Sequence, residues 1–148
     1  MTMPRYYKSK TAATWIALVG GMFGLHRFYL HGWRDRLGWL HWPPTLVGLW
    51  GFARAWQLGQ DDRLAWALTP LGGVMLTLAC AMAIYYGLVA DARWDARYNP
   101  GGTIHATRWA PIVGVIVALL IGGIALMSTL AYGTEHGYLA MQPDADGA

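Results

Sequence analysis

Residues 64–90 read LAWALTPLGGVMLTLACAMAIYYGLVA, twenty-seven positions without one charged side chain. As a helix this stretch is about 40 Å long, more than the roughly 30 Å of a bilayer's hydrocarbon core. A second stretch, Trp109 to Thr134, continues for 26 residues in the same manner. Two such runs make the chain an all-α, polytopic integral membrane protein by expectation.

Composition agrees. Of 148 residues 55% are hydrophobic and 13% charged, where an ordinary soluble domain carries about 25% charged residues. Disorder needs low hydrophobicity and high charge, so it is excluded. The lone Cys80 excludes a disulfide scaffold. The net charge of +3 comes from dispersed basic residues between apolar runs. That is membrane-flanking charge rather than a nucleic-acid surface. The lipid bilayer is therefore the expected partner, and the Arg-, Ala- and Gly-rich composition suggests a bacterial inner membrane.

The first half is less uniform. Thr11–His26 gives 16 residues without Asp, Glu, Lys or Arg before Arg27, and Leu37–Ala53 gives 17 before Arg54. Pro43 and Pro44 each lack a backbone donor, so the second segment should kink or start late there. Two readings stay open: a tight hairpin of two short spans, or one span followed by a re-entrant or interfacial segment. No small-residue cleavage site follows the first segment, which is read as a retained span and not a signal peptide.

The expected organisation is a basic tail (1–10), a helical hairpin (11–58), a second membrane pair (59–134, with loop 91–108) and a polar tail (135–148). That makes four transmembrane helices with both termini on one side, taken as inside because the N-tail is basic. Lys and Arg then number five on the terminal side and six on the other, so positive charge does not orient the chain.

Small residues mark packing faces. Thr69, Gly73, Thr77 and Ala81 recur every four residues in the third span. Ala110, Gly114, Ala118 and Gly122 do so in the fourth, and Gly20 and Gly24 make one such step in the first. Small faces let membrane helices approach closely. These either pack the third span on the fourth or form a homo-oligomer seam. Trp66, Tyr85, Tyr86, Trp109 and Tyr132 sit near span ends, where an aromatic belt belongs.

The segment Lys8-Ser9-Lys10, then Gly20-Gly21-Met22-Phe23-Gly24-Leu25-His26-Arg27-Phe28-Tyr29-Leu30, resembles the TM2-domain family over about residues 8–58. The resemblance implies a two-helix membrane hairpin and no defined reaction. His31 stands where the family pattern has glycine. Arg54 stands where it has an aspartate after the second helix, and Asp35, Asp61 or Asp62 are the acids that could replace it. Arg27 can cap helical carbonyls and snorkel to the interface, with Phe28 and Tyr29 as anchors. Alternatively it contacts a lipid headgroup or an acidic partner.

Three histidines, His26, His31 and His41, fall near one membrane face, and His26 with His41 could ligate a haem. They carry no recognised ligand spacing, so neither a metal nor a cofactor is expected. In loop 91–108 a helix would put Asp91 and Asp95 on one face and Arg93 and Arg97 on another. That is a solvated helix end, or a docking surface anchored by Trp94 and Tyr98. No catalytic motif is present. The expected role is a non-catalytic module acting through helix packing with itself or a membrane-protein partner. The alternatives are a small oligomeric channel or transporter using Arg27 or Arg54, and a haem-binding redox protein.

Overall fold

The computed structural model describes residues 7–59, 61–102 and 105–142. Arg5, Asp144 and Asp146 of the two expected tails lie outside them. The described residues form helices and connections, with no strand among them. The helices are α1 (Lys10–Gly20), α2 (Leu25–His31), α3 (Arg36–Leu40), α4 (Trp42–Leu58), α5 (Arg63–Leu88), α6 (Asp91–Tyr98) and α7 (Ala110–Met141). Two of them, α5 and α7, are long and apolar enough to cross a membrane. Helix α7 runs on to Met141, through the first half of the expected polar tail.

Helices α5 and α7 pack antiparallel. Gly87 meets Val115, Cys80 meets Gly122, Gly73 meets Thr129, and the Trp66 ring meets His136. Each partner advances by seven residues, the repeat that keeps a seam of two slightly supercoiled helices in register. A four-residue repeat drifts about 40° per step on a 3.6-residue helix. This corrects the small-residue reading of α5. Gly73 lies in the seam, but by Ala81 the drift has turned the residue outward, and Cys80 takes its place. On α7, Ala118 and Gly122 are buried as expected. Gly114 is also buried, but against Thr14 and Trp15 of α1. Gly73, Gly114 and Gly122 thus pack within the chain, whereas Ala81 and Ala110 are exposed.

The first half is a zigzag. Helix α1 has 11 residues, about 16 Å, half of what a hydrocarbon core requires. It lies along the half of α5 that ends at Leu88: Lys10 Nζ donates to Val89 O at 2.6 Å, and Gly21 abuts Ala79. The chain then reverses through a one-turn 3-10 segment, Gly21–Phe23. Helix α2 returns to the starting end, where the Lys8 ammonium donates to Leu30 O. Helix α3 descends again, with Gly38 against Gly24, and α4 continues along the other half of α5. There Gly48 meets Gly72 and Gly51 meets Thr69. So Thr11–His26 is not one helix. The first apolar segment turns back, and the proline-bearing one continues to the far end. Pro43 and Pro44 occupy the first turn of α4, where their missing donors cost nothing.

The N-terminal end of α1 and the C-terminal end of α7 therefore lie at opposite ends of α5, not at a shared end. Tyr86 leaves the expected aromatic belt for the interior at 2% exposure, touching His26 and Trp94.

Candidate functional site: the hairpin and its polar crown

The glycines and aromatic residues of the Gly-rich motif have contacts that explain them. Gly24 turns the chain at φ +70, and a Cβ there would lie 2.6 Å from Gly38 O. Gly is the residue that takes this conformation without steric cost. The turn leaves helix-end groups away from water, and two of them are satisfied: Gly24 N donates to Gly21 O at 2.9 Å, and Thr45 Oγ1 donates to Met22 O at 2.5 Å. An unsatisfied buried group there would cost about 1–3 kcal/mol. Gly20 packs against Leu25, and Gly21 against Ala79. Phe28 fills the space over Gly38 and stacks on Trp33 at 5.1 Å between centroids. Tyr29 accepts a hydrogen bond from Ser9 N at 2.9 Å.

Arg27 meets Asp35 at two points, Nε to Oδ2 at 2.5 Å and Nη2 to Oδ1 at 3.3 Å. The guanidinium holds the Asp35 carboxyl below the usual carboxylate range. Arg27 is thus occupied within the chain. At the far end Arg54 grips Asp62 in the same manner, at 2.7 and 3.1 Å, with Trp50 beneath it.

The Lys8-Ser9-Lys10 start works as a clamp. Ser9 caps α1, and Lys8 reaches the last turn of α2. Lys10, 8% exposed, bridges Val89 O and Asp91 Oδ1 at the end of α5. The Asn99 side-chain amide pairs with the Lys8 backbone, donating to its carbonyl and accepting from its N–H. Trp94 Nε1 donates to the same carbonyl at 2.8 Å.

Helix α6 is not a solvated helix end. Helix α6 docks inward through Trp94, which is 2% exposed and so no anchor for a partner. Asp91 and Asp95 share the inward face as expected, while Arg93 and Arg97 face out. Burial raises the Asp91 pKa, but the hydrogen bonds from Lys10 and Thr107 outweigh it and bring it down to about 2. Asp95 accepts from Asn99 Nδ2 and His105 N, both at 2.8 Å.

The consequence is a segregation of charge. At this end of the bundle Asp35, Asp91 and Asp95 all turn inward onto partners. Arg34, Arg36, Arg93 and Arg108 are exposed and have no carboxylate partner among the described residues. Exposed Trp33, Trp39 and Trp109 lie among them in sequence. Lone arginines in a sequence do not reveal which acids have been used up by distant residues, so this face was not legible there.

His26 and His41 come together with ring centroids 5.7 Å apart. His26 is 1% exposed, and its Nδ1 has no partner. His41 Nδ1 lies 2.6 Å from Leu37 O; a carbonyl only accepts, so that nitrogen carries the proton. His31 sits apart, beside Tyr98 and 4.0 Å from Asp35. Among the described residues no three His, Cys, Asp or Glu side chains gather as a metal set.

In comparisons with known proteins, no family model, curated protein or solved structure matches this chain.

Proposed function

We propose that the chain is a multi-pass inner-membrane protein without catalytic role, an interaction module whose arginine-bearing end engages anionic phospholipid headgroups. The segregated charge just described carries this reading. Arginine suits phosphate through its planar donor fork, and a cytoplasmic leaflet rich in anionic lipid attracts basic flanks by about 1 kcal/mol per residue.

The zigzag supports three crossings, α3–α4, α5 and α7, with α1–α2 as a re-entrant hairpin. This stands in place of four spans. Irregular backbone at membrane depth is tolerated where protein surrounds it, as Ala79, Gly38 and Thr45 do here. Among the described residues Lys8, Lys10, Arg27, Arg34, Arg36, Arg93, Arg97 and Arg108 then share one side, and Arg54 and Arg63 the other. The positive-inside rule now orients the chain with its N-terminal end inside. Residues 8–58, which include both the re-entrant hairpin and the α3–α4 crossing, remain the part that resembles the TM2-domain family.

The test is native mass spectrometry in mild detergent after exchange into phosphatidylglycerol or phosphatidylcholine. Wild type should retain the anionic lipid preferentially. Replacing Arg34, Arg36, Arg93 and Arg108 by Gln should erase that preference, and an unchanged preference sinks the reading. A co-purifying acidic protein lost with the same variant would name a partner instead.

A second reading, a redox membrane protein using His26 and His41, draws on their ring contact and on the unpartnered His26 Nδ1. A colourless product after haem-replete expression removes it. The conduit reading draws on the helix break at mid-depth, a feature of transporter sites. Liposomes that show no solute flux would remove that one.

A further inference from the structure

The corner closed by Arg27 and Asp35 has a twin. Residues 21–43 read GMFGLHRFYLHGWRDRLGWLHWP, and residues 48–70 read GLWGFARAWQLGQDDRLAWALTP. Nine of the 23 positions are identical, in the pattern G-x-x-G-x-x-R-x-x-x-x-G-x-x-D-R-L-x-W-x-x-x-P.

Four of these residues do the same work in both places. A Cβ on Gly24 would lie 2.6 Å from Gly38 O, and one on Gly51 2.6 Å from Thr69 N. Each glycine thus lets the helix beyond its own corner approach. Gly32 turns the chain at φ 85, ψ 171, and Gly59 at φ 90, ψ -179, a conformation that glycine takes without steric cost. Asp35 and Asp62 precede α3 and α5 at φ -69, ψ 111 and φ -75, ψ 101, the extended backbone of a residue that starts a helix. Arg27 and Arg54 close the corners with the same two bonds. Nε meets Oδ2 at 2.5 and 2.7 Å, and Nη2 meets Oδ1 at 3.3 and 3.1 Å. The copies part where helices break. The first breaks at Gly24 and again at His41, so Pro43 opens a helix, whereas Gly51 and Pro70 stay inside α4 and α5.

We infer that residues 21–43 and 48–70 are two copies of one unit, a helix, a glycine corner and a second helix latched by an Arg–Asp pair, set in opposite orientation along the bundle. Helix α2 arrives at one end and α3 leaves it; α4 arrives at the other end and α5 leaves that. The α3–α4 column is the outgoing arm of one copy and, from Gly48, the incoming arm of the next. It is braced at both ends, by Asp35 to α2 and by Arg54 to α5. Inverted repeats in transporters rock against each other as separate bodies. Two copies that share a column cannot separate, so this repeat is a brace and not a rocker. Its placement across a bilayer rests on the multi-pass reading above.

The experiment transplants the first corner into the second. The full chain carries Ala55→Phe, Trp56→Tyr, Gln57→Leu, Leu58→His, Gln60→Trp and Asp61→Arg, which makes 54–63 identical to 27–36. Trp56, Gln57, Leu58 and Asp61 are exposed. Ala55 lines a cleft of about 190 Å³, where a cavity of roughly 150 Å³ already accepts a benzene ring. In mild detergent this chain should elute as wild type does and melt within about 4 °C of it. The same stretch set one position out of register, residues 28–37 at 54–63, should melt well below both. Six substitutions can also impair insertion, so double-mutant cycles form the second arm: Arg27→Gln with Asp35→Asn, and Arg54→Gln with Asp62→Asn. Both pairs should couple, and their effects on the unfolding equilibrium should agree within about twofold, the scatter of independent sites. Coupling at the first corner and none at the second overturns the repeat. So does a transplant in register that melts no higher than the shifted one. A chain that stays soluble without detergent would defeat the membrane reading and leave the likeness of the two corners standing.

Discussion

Arg27 and Asp35 close the connection between α2 and α3 through two parallel bonds, at 2.5 and 3.3 Å, with both side chains mostly shielded from solvent. The pair ties the returning helix of the hairpin to the descending one. Replacing either partner alone leaves a charge without its complement, so Asp35→Asn and Arg27→Gln should each destabilise the fold. A double-mutant cycle read by thermal unfolding in detergent should give a coupling of about 1–3 kcal/mol. Additive effects would mean the pair is a bystander.

Gly24 should tolerate no side chain. Its φ of +70 and the 2.6 Å approach to Gly38 O act together. Gly24→Ala is expected to cost 2 kcal/mol or more, roughly 1–2 of it from the backbone conformation. Gly123→Ala, in open space on α7, is the control and should be neutral or slightly stabilising. Equal melting temperatures for the two variants would refute the hairpin geometry.

The α5–α7 seam separates residues that the four-residue pattern grouped together. Gly122→Leu should disrupt packing, since even a Cβ would meet Cys80 Cβ at 2.7 Å. Ala81→Leu should be accepted, because Ala81 faces outward. Size-exclusion profiles in detergent would check this; aggregation of the Ala81 variant with a normal Gly122 variant would reverse the assignment.

The termini should be found on opposite sides. An N-terminal fusion to a fluorescent reporter that works only inside should be active. A C-terminal phosphatase fusion that works only outside should be active too. Both reporters on one side would restore the even number of crossings.

Asp91 ties α6 and the connection before α7, through Thr107, to Lys10. Its pKa is lowered to about 2 in the fold, so its contribution is fully present above the ordinary carboxylate range. It fades as pH falls through about 4 towards 2. The Asp91→Asn variant should therefore be less stable than wild type at pH 7, by roughly 1–2 kcal/mol after allowing for its partial exposure. The gap should narrow from about pH 4 and close only below about pH 2. A gap that is the same at both pH values would place the stabilisation elsewhere than in the charge.

The sequence by itself determined the all-helical class and the two long apolar helices, because length without charge is a local property that needs no partner to be read. It also determined the late start of α4 at its prolines, and the facing of Asp91 and Asp95 away from Arg93 and Arg97. Tertiary structure decided where the first segment turns. Thr11–His26 is as apolar as a short span, and only the meeting of Gly24 with Gly38 and of Gly21 with Ala79 shows that the backbone reverses there. It decided which small residues pack, because a seven-residue seam needs a second helix to select it. It also decided which charges remain outward. Asp91 is neutralised by a lysine 81 positions earlier, and that separation hides the bare arginine end from the sequence.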